Sequence, residues 1–277
     1  MSDNKADRIA STFNRLSKDH RAGLVTFITA GDPNLQTSLE ILHRLPSAGA
    51  DIIEIGMPFS DPMADGPAIQ AASLRSLANG GSLRATLEMV RAFRKKNKTT
   101  PLILMGYFNP IYQYGTTQFV NDAASAGVDG LIMVDLPPEE DDELCDPART
   151  AGLHWIRLVT PTTNKDRLSD VLANSSGFVY YVSIAGITGT QSAGAASIEK
   201  AVHQIKTKSD LPVAVGFGIK TREQVKEIGN IAEGVVVGSV IVNEIEQNLD
   251  ANGQPKAGLV ESVIEEDKKK KKKKKEK

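Results

Sequence analysis

Hydrophobic positions along this chain follow two alternating patterns, helical stripes and short unbroken runs, almost from end to end. Ile9, Phe13 and Leu16 within 4–21 predict a helix, followed by a strand at Leu24–Thr29 that the turn Gly31-Asp32-Pro33 ends. Leu35, Leu39 and Leu42 form the next stripe, which Pro46 is expected to kink or end before a second strand begins near Asp51. Helical patterns follow at Ala68–Ala78 and at Leu83–Lys96, the latter closing on a basic end. Further strands are predicted at Pro101–Gly106, Gly130–Asp135, Leu153–Thr160, Phe178–Ser183, Leu211–Val215 and Gly234–Val237, with helix-like stretches between them. Eight strands alternating with helices over nearly the ~250 residues typical of the fold predict an α/β protein. The expected architecture is a (β/α)8 TIM barrel, a single domain over residues 1–267 with an N-terminal cap helix, carrying its function at the C-terminal strand ends.

The second strand concentrates the chemistry. Side chains alternate along it, so Ile52, Glu54 and Gly56 share one face and Ile53 and Ile55 the other, and both faces are mostly apolar. A carboxylate in that setting has two fates. It pairs with a strand cation such as Arg157, or it stays unpaired with a raised pKa that suits acid and base work near neutrality. Asp65 in ADGP also has the composition of a turn, but Asp61 and Asp65 follow a strand-end glutamate directly, and together they point to an active site.

Three late strands end in glycine-rich loops, Ser183–Gly189, Gly216–Gly218 and Gly238-Ser239, the last opening a helical stretch through Val240 and Ile245. Backbone N–H groups can approach an anion closely there, and a helix start adds its positive dipole end, so the cluster reads as a phosphate cradle. Phe27, Tyr107, Phe108, Tyr112, Tyr180 and Tyr181 gather at strand ends and could line a flat apolar pocket. The chain has no GxGxxG, GxxxxGK[ST] or GxSxG motif. No predicted strand carries a lysine, which makes an imine-forming aldolase hard to build.

Composition narrows the setting. The 277 residues are 40% hydrophobic and 24% charged, without a membrane-length apolar run or a leader-like N-terminus, and a cytoplasmic protein is expected. The single Cys145 forms no internal disulfide, and His20, His43, His154 and His203 lack metal-ligand spacing, so no metal is expected. Net charge is -1, but Lys268–Lys277 holds nine lysines and one glutamate, which leaves -9 for the rest. The run is read as a disordered, solvated tail over 268–277, neither a nucleic-acid nor a membrane tether.

The stretches DIIEIGMPFSDPMADGPAIQ, MGYFNPIYQYG, YYVSIAGITG, GFGI and GSVIV together closely resemble the tryptophan synthase alpha subunit family, in order from about Ile9 to Val263. The first is highly specific, because Glu54 and Asp65 are spaced as that family spaces its two catalytic carboxylates. The resemblance implies cleavage of indole-3-glycerol phosphate to indole and glyceraldehyde 3-phosphate, with no cofactor in this chain. It places phosphate at Gly189, Phe217, Gly218, Gly238 and Ser239, an indole pocket at Phe27, Tyr107, Ile132, Leu158 and Tyr180, and loop support at Asp135 and Thr188. It also implies a tryptophan synthase beta subunit carrying pyridoxal phosphate, in an α2β2 assembly. The loops Pro58–Pro67, Asn109–Gly115 and Ile184–Ala196 are then the candidate interface. The lysine tail and Ile184 depart from the family pattern. An indole-glycerol-phosphate synthase would need the missing strand lysines, and the retained Glu54 and Asp65 argue against a silent barrel.

Overall fold

The computed structural model describes residues 7–183, 194–216 and 218–271. In chain order, α1 (Arg8–Lys18), β1 (Gly23–Thr29), α2 (Leu35–Ala48), β2 (Ile52–Gly56), α3 (Pro67–Ala78), α4 (Leu83–Lys96) and β3 (Leu102–Gly106) open the fold. Then come α5 (Phe108–Tyr114), α6 (Thr116–Ala126), β4 (Gly130–Met133), α7 (Asp141–Thr150), β5 (His154–Trp155), β6 (Arg157–Val159), α8 (Lys165–Ala173) and β7 (Val179–Val182). The chain continues through α9 (Ala195–Lys206), β8 (Val213–Gly216), α10 (Arg222–Ile228), β9 (Gly234–Val237), α11 (Ser239–Gln247) and α12 (Leu259–Lys270).

All strand pairings within the sheet are parallel, in the order β5-β4-β3-β2-β1-β9-β8-β7-β6. Its two ends, β5 and β6, are consecutive pieces of one run, so the sheet closes on itself as the predicted TIM barrel. The single strand expected at Leu153–Thr160 is therefore corrected to two pieces flanking Ile156. His154 and Trp155 pair with β4, whereas Arg157 to Val159 pair with β7. The stagger of a closed barrel makes one run change neighbours along its length.

Two apolar compartments follow from strand alternation. Val25, Ile52, Ile103, Ile132, Ile156 and Tyr180 fill the barrel interior, where Ile9, Phe13 and Leu16 of α1 join them. The cap helix thus plugs the N-terminal end. It is tied there by charge: Arg8 and Arg94 converge on Asp129, and Arg15 and Arg21 on Asp51, at the entrances of β4 and β2. The opposite strand faces pack against the surrounding helices.

Two other expectations change. The α2 helix continues past Pro46 to Ala48. Proline falls in its last turn, where the missing N–H removes one bond from a helix about to end at Gly49. The α12 helix runs past residue 267 and takes in Lys268, Lys269 and Lys270 of the expected disordered tail. Glu265 and Glu266, one turn back, pair with these lysines, so the block does not simply repel itself.

Candidate active site

Glu54 lies in register with Phe27 on β1 and Ile103 on β3, pointing into the barrel. It is 1% exposed, and its Oε1 has no hydrogen-bond partner among the described residues. The pairing with Arg157 does not occur. Arg157 points away from the interior that Ile156 and Leu158 face, donates to the Leu136 carbonyl at 3.0 Å, and forms an ion pair with Asp141. Burial without a cation pushes the Glu54 carboxyl up to about 8.

Asp65 stands two residues before α3, in the loop that leaves β2. The Tyr107 hydroxyl, which accepts from the Ala64 N–H at 3.0 Å, favours the ionised form of Asp65. Burial outweighs that influence and pushes Asp65 up to about 6. Burial and the neighbouring Asp65 charge raise the Tyr107 hydroxyl in turn. Near pH 7 the pair therefore divides its states: Glu54 is largely protonated and Asp65 largely ionised.

Tyr180 joins them from across the barrel. Its buried hydroxyl is raised well above the ordinary tyrosine range by burial, then by the charges of Glu54 and Asp65. Inward glycines make room for the aromatics. A Cβ at Gly216 would lie 2.2 Å from the Tyr180 hydroxyl, and one at Gly56 would lie 2.5 Å from the tip of Phe27. Ile132 is buried in the same interior cluster as Tyr180, and half-buried Leu158 packs against it. Phe27, Ile132, Leu158 and Tyr180 thus line the barrel interior, with Tyr107 at its mouth beside Phe59, ring centroids 5.5 Å apart.

A small cavity of about 10 Å³ between Phe27, Asp65 and Tyr107 also touches Thr29, Ile69, Ser73 and Met105. The sequence reading missed these four. Thr29 could have been found by alternation from Phe27, and Ile69 and Ser73 by their one-turn spacing on α3.

At the predicted phosphate site, Gly238 precedes α11 and Ser239 opens it, while Gly218 adopts a left-handed φ of +77° after β8. β8 and β9 are neighbours, which sets these two loops side by side. Gly189, Phe217 and Thr188 lie outside the described residues. Asp135 accepts from the Phe108 N–H at 2.8 Å and so caps α5 directly after Tyr107. Among the described residues, no group of three His, Cys, Asp or Glu side chains could hold a metal ion.

The sequence profile of the tryptophan synthase alpha chain family matches residues 13–273. Tryptophan synthase subunit alpha from Legionella pneumophila superposes with a TM-score of 0.84 at 39% identity, over 95% of this chain and 97% of its own. A Mycobacterium tuberculosis tryptophan synthase structure gives 0.83 at 33% identity, over 95% and 97%. An Aquifex aeolicus protein gives 0.82 at 35% identity, over 94% and 97%.

Proposed function

This chain belongs to the tryptophan synthase alpha chain family, and we propose that Glu54 and Asp65 carry out the alpha reaction in the barrel mouth. The reaction is the retro-aldol cleavage of indole-3-glycerol phosphate to indole and glyceraldehyde 3-phosphate, in tryptophan biosynthesis.

Protonated Glu54 gives its proton to the indole carbon that bears the glycerol chain. The side-chain carbon–carbon bond then breaks and its electron pair restores the ring. The hydroxyl on the departing carbon loses its proton to the Glu54 carboxylate and becomes the aldehyde, which returns Glu54 to its starting state. Ring protonation leaves positive charge around the indole nitrogen, and ionised Asp65 stabilises it. Phe27, Tyr107, Ile132, Leu158 and Tyr180 hold the ring. Gly218, Gly238 and Ser239, together with Gly189 and Phe217, bind the phosphate through backbone N–H groups and the start of α11. Asp135 and Thr188 support the surrounding loops.

The observation that supports this reading is the fully buried carboxyl of Glu54, pushed up to about 8, whose Oε1 has no hydrogen-bond partner among the described residues. These steps need only proton transfers, and in this reading the chain holds no cofactor of its own. A tryptophan synthase beta subunit carrying pyridoxal phosphate is its partner, and docks over the barrel mouth. Met63, 79% exposed on the Pro58–Pro67 loop, and Tyr112, 61% exposed on α5, support that placement; the Asn109–Gly115 segment expected as a loop is helical up to Tyr114. No described helix is long and apolar enough to cross a membrane, and the cytoplasm is the compartment we assign.

Indole release from indole-3-glycerol phosphate, measured with and without the beta subunit, tests the proposal. Glu54→Gln and Asp65→Asn should each lower turnover by roughly 100-fold or more while substrate still binds. Near-normal turnover in either variant removes its assignment. Full turnover without the beta subunit removes the partner's role.

A further inference from the structure

Two threonines on β1 have opposite fates. Thr26 faces the outer helices, fully buried, and its hydroxyl donates to Asp267 Oδ1 at 2.7 Å. Thr29 lies on the inward row with Val25 and Phe27, in register with Gly56, and is 1% exposed. Its Oγ1 has no hydrogen-bond partner among the described residues. Its carbonyl is engaged, accepting from the Asp32 N–H at 3.2 Å and the Ser38 hydroxyl at 3.4 Å, so only the side-chain hydroxyl is unspent.

A buried hydroxyl without a partner is costly, and valine would fill the same β-branched space at no such cost. The cavity that Thr29 lines is the one lined by Asp65, Tyr107 and Ser73. Glu54 Oε1, the other orphaned oxygen of the barrel interior, belongs one rung lower on the neighbouring strand. These two unspent polar atoms face the barrel interior from adjacent strands, two residues apart in register.

We propose that Thr29 is a further substrate-contacting residue, whose hydroxyl accepts a hydrogen bond from the indole N–H and shares it with the Asp65 carboxylate. The inference rests on the assignment of Asp65 above. The shared bond fixes the ring plane, so that the carbon to be protonated faces Glu54. It also strengthens as positive charge develops on the nitrogen, which places its effect in turnover as well as in binding.

Thr29→Val and Thr29→Ser, assayed with the beta subunit present and followed by thermal melting, separate this role from a structural one. Thr29→Val should melt at or above the wild-type temperature, because it removes an unsatisfied buried group, yet lose roughly tenfold in kcat/KM. Thr29→Ser should stay within about threefold, since it keeps the hydroxyl. Wild-type kcat/KM in Thr29→Val overturns the proposal, and so does a fall in melting temperature that accompanies the loss of activity. Asp65→Asn in the same assay distinguishes the two failures. Near-normal turnover there unseats the assignment of Asp65. An inactive Asp65→Asn beside a fully active Thr29→Val sinks the role of Thr29 alone.

Discussion

Arg75 grips Asp32 with two prongs, Nε to Oδ1 at 2.8 Å and a terminal guanidinium nitrogen to Oδ2 at 2.9 Å. Asp32 is fully buried in the loop after β1, and Arg75 lies in the last turn of α3, the helix that follows Asp65. Ser76 donates to the Ala30 carbonyl at 2.5 Å and Asn79 to the Pro33 carbonyl at 3.0 Å, so one end of α3 is fastened to the mouth of β1.

Arg75→Lys keeps the charge but loses the fork, and should cost about 1–3 kcal/mol of stability. Arg75→Ala strands a buried carboxylate and should cost about 3–5 kcal/mol. Burial already pushes Asp32 up, with Arg75 pulling it back, so removing Arg75 raises its folded pKa further. A raised carboxyl loses stability as pH rises. The deficit of Arg75→Ala should therefore be larger at pH 8 than at pH 4 in urea unfolding, and an equal deficit at both would deny the pairing its electrostatic role.

Glu54→Gln should oppose its own effect on turnover. The folded pKa of about 8 lies above the usual carboxylate range, so between about pH 4.5 and 8 the folded state holds a proton that the unfolded state releases. Glu54 therefore costs stability progressively across that window, and not below it. The variant should melt close to wild type near pH 4 and increasingly above it toward pH 8. A melting difference that does not change with pH would mean that Glu54 is not the buried, uncompensated acid described here.

The barrel and Glu54 were legible because alternation is a local property: one strand places Ile52, Glu54 and Gly56 on a single face. What the reading could not supply was tertiary. The change of neighbours at Ile156 depends on barrel stagger, and the engagement of Arg157 depends on Asp141, sixteen residues away on a helix. Thr29 escaped because an orphaned hydroxyl is defined by what surrounds it. The lysines of α12 misled because their count outweighed the glutamates one turn earlier.

Turnover should follow a bell, falling below about pH 6 as Asp65 protonates and above about pH 8 as Glu54 ionises. Tyr107→Phe removes the hydroxyl that holds Asp65 down, so the acid limb should move to higher pH while the alkaline limb stays. A pH profile of kcat/KM for wild type and variant checks both limbs. An acid limb that stays in place would mean that the Tyr107 hydroxyl does not favour the carboxylate in the working enzyme.

The C-terminal helix gives the last test, because its lysines divide in role within a few residues. Lys268 and Lys269 are themselves exposed and pair with Glu265 and with partly buried Glu266, contacts worth little where the ammonium stays in water. Lys270 is buried, and its Nζ donates to the Lys220 carbonyl at 2.6 Å while pairing with Glu266 at the same distance. It ties the end of α12 to the loop before α10, and its charge also suits a helix C-terminus. Lys270→Met keeps most of the stem and removes the ammonium, leaving the Lys220 carbonyl without this donor. It should cost about 1–3 kcal/mol, while Lys269→Met should stay within about 0.5 kcal/mol. A chain stopped after Asp267 should unfold at lower urea than one stopped after Lys271, with the difference close to that of Lys270→Met. Equal midpoints for the two truncations would leave the contacts of Lys270 without energetic weight.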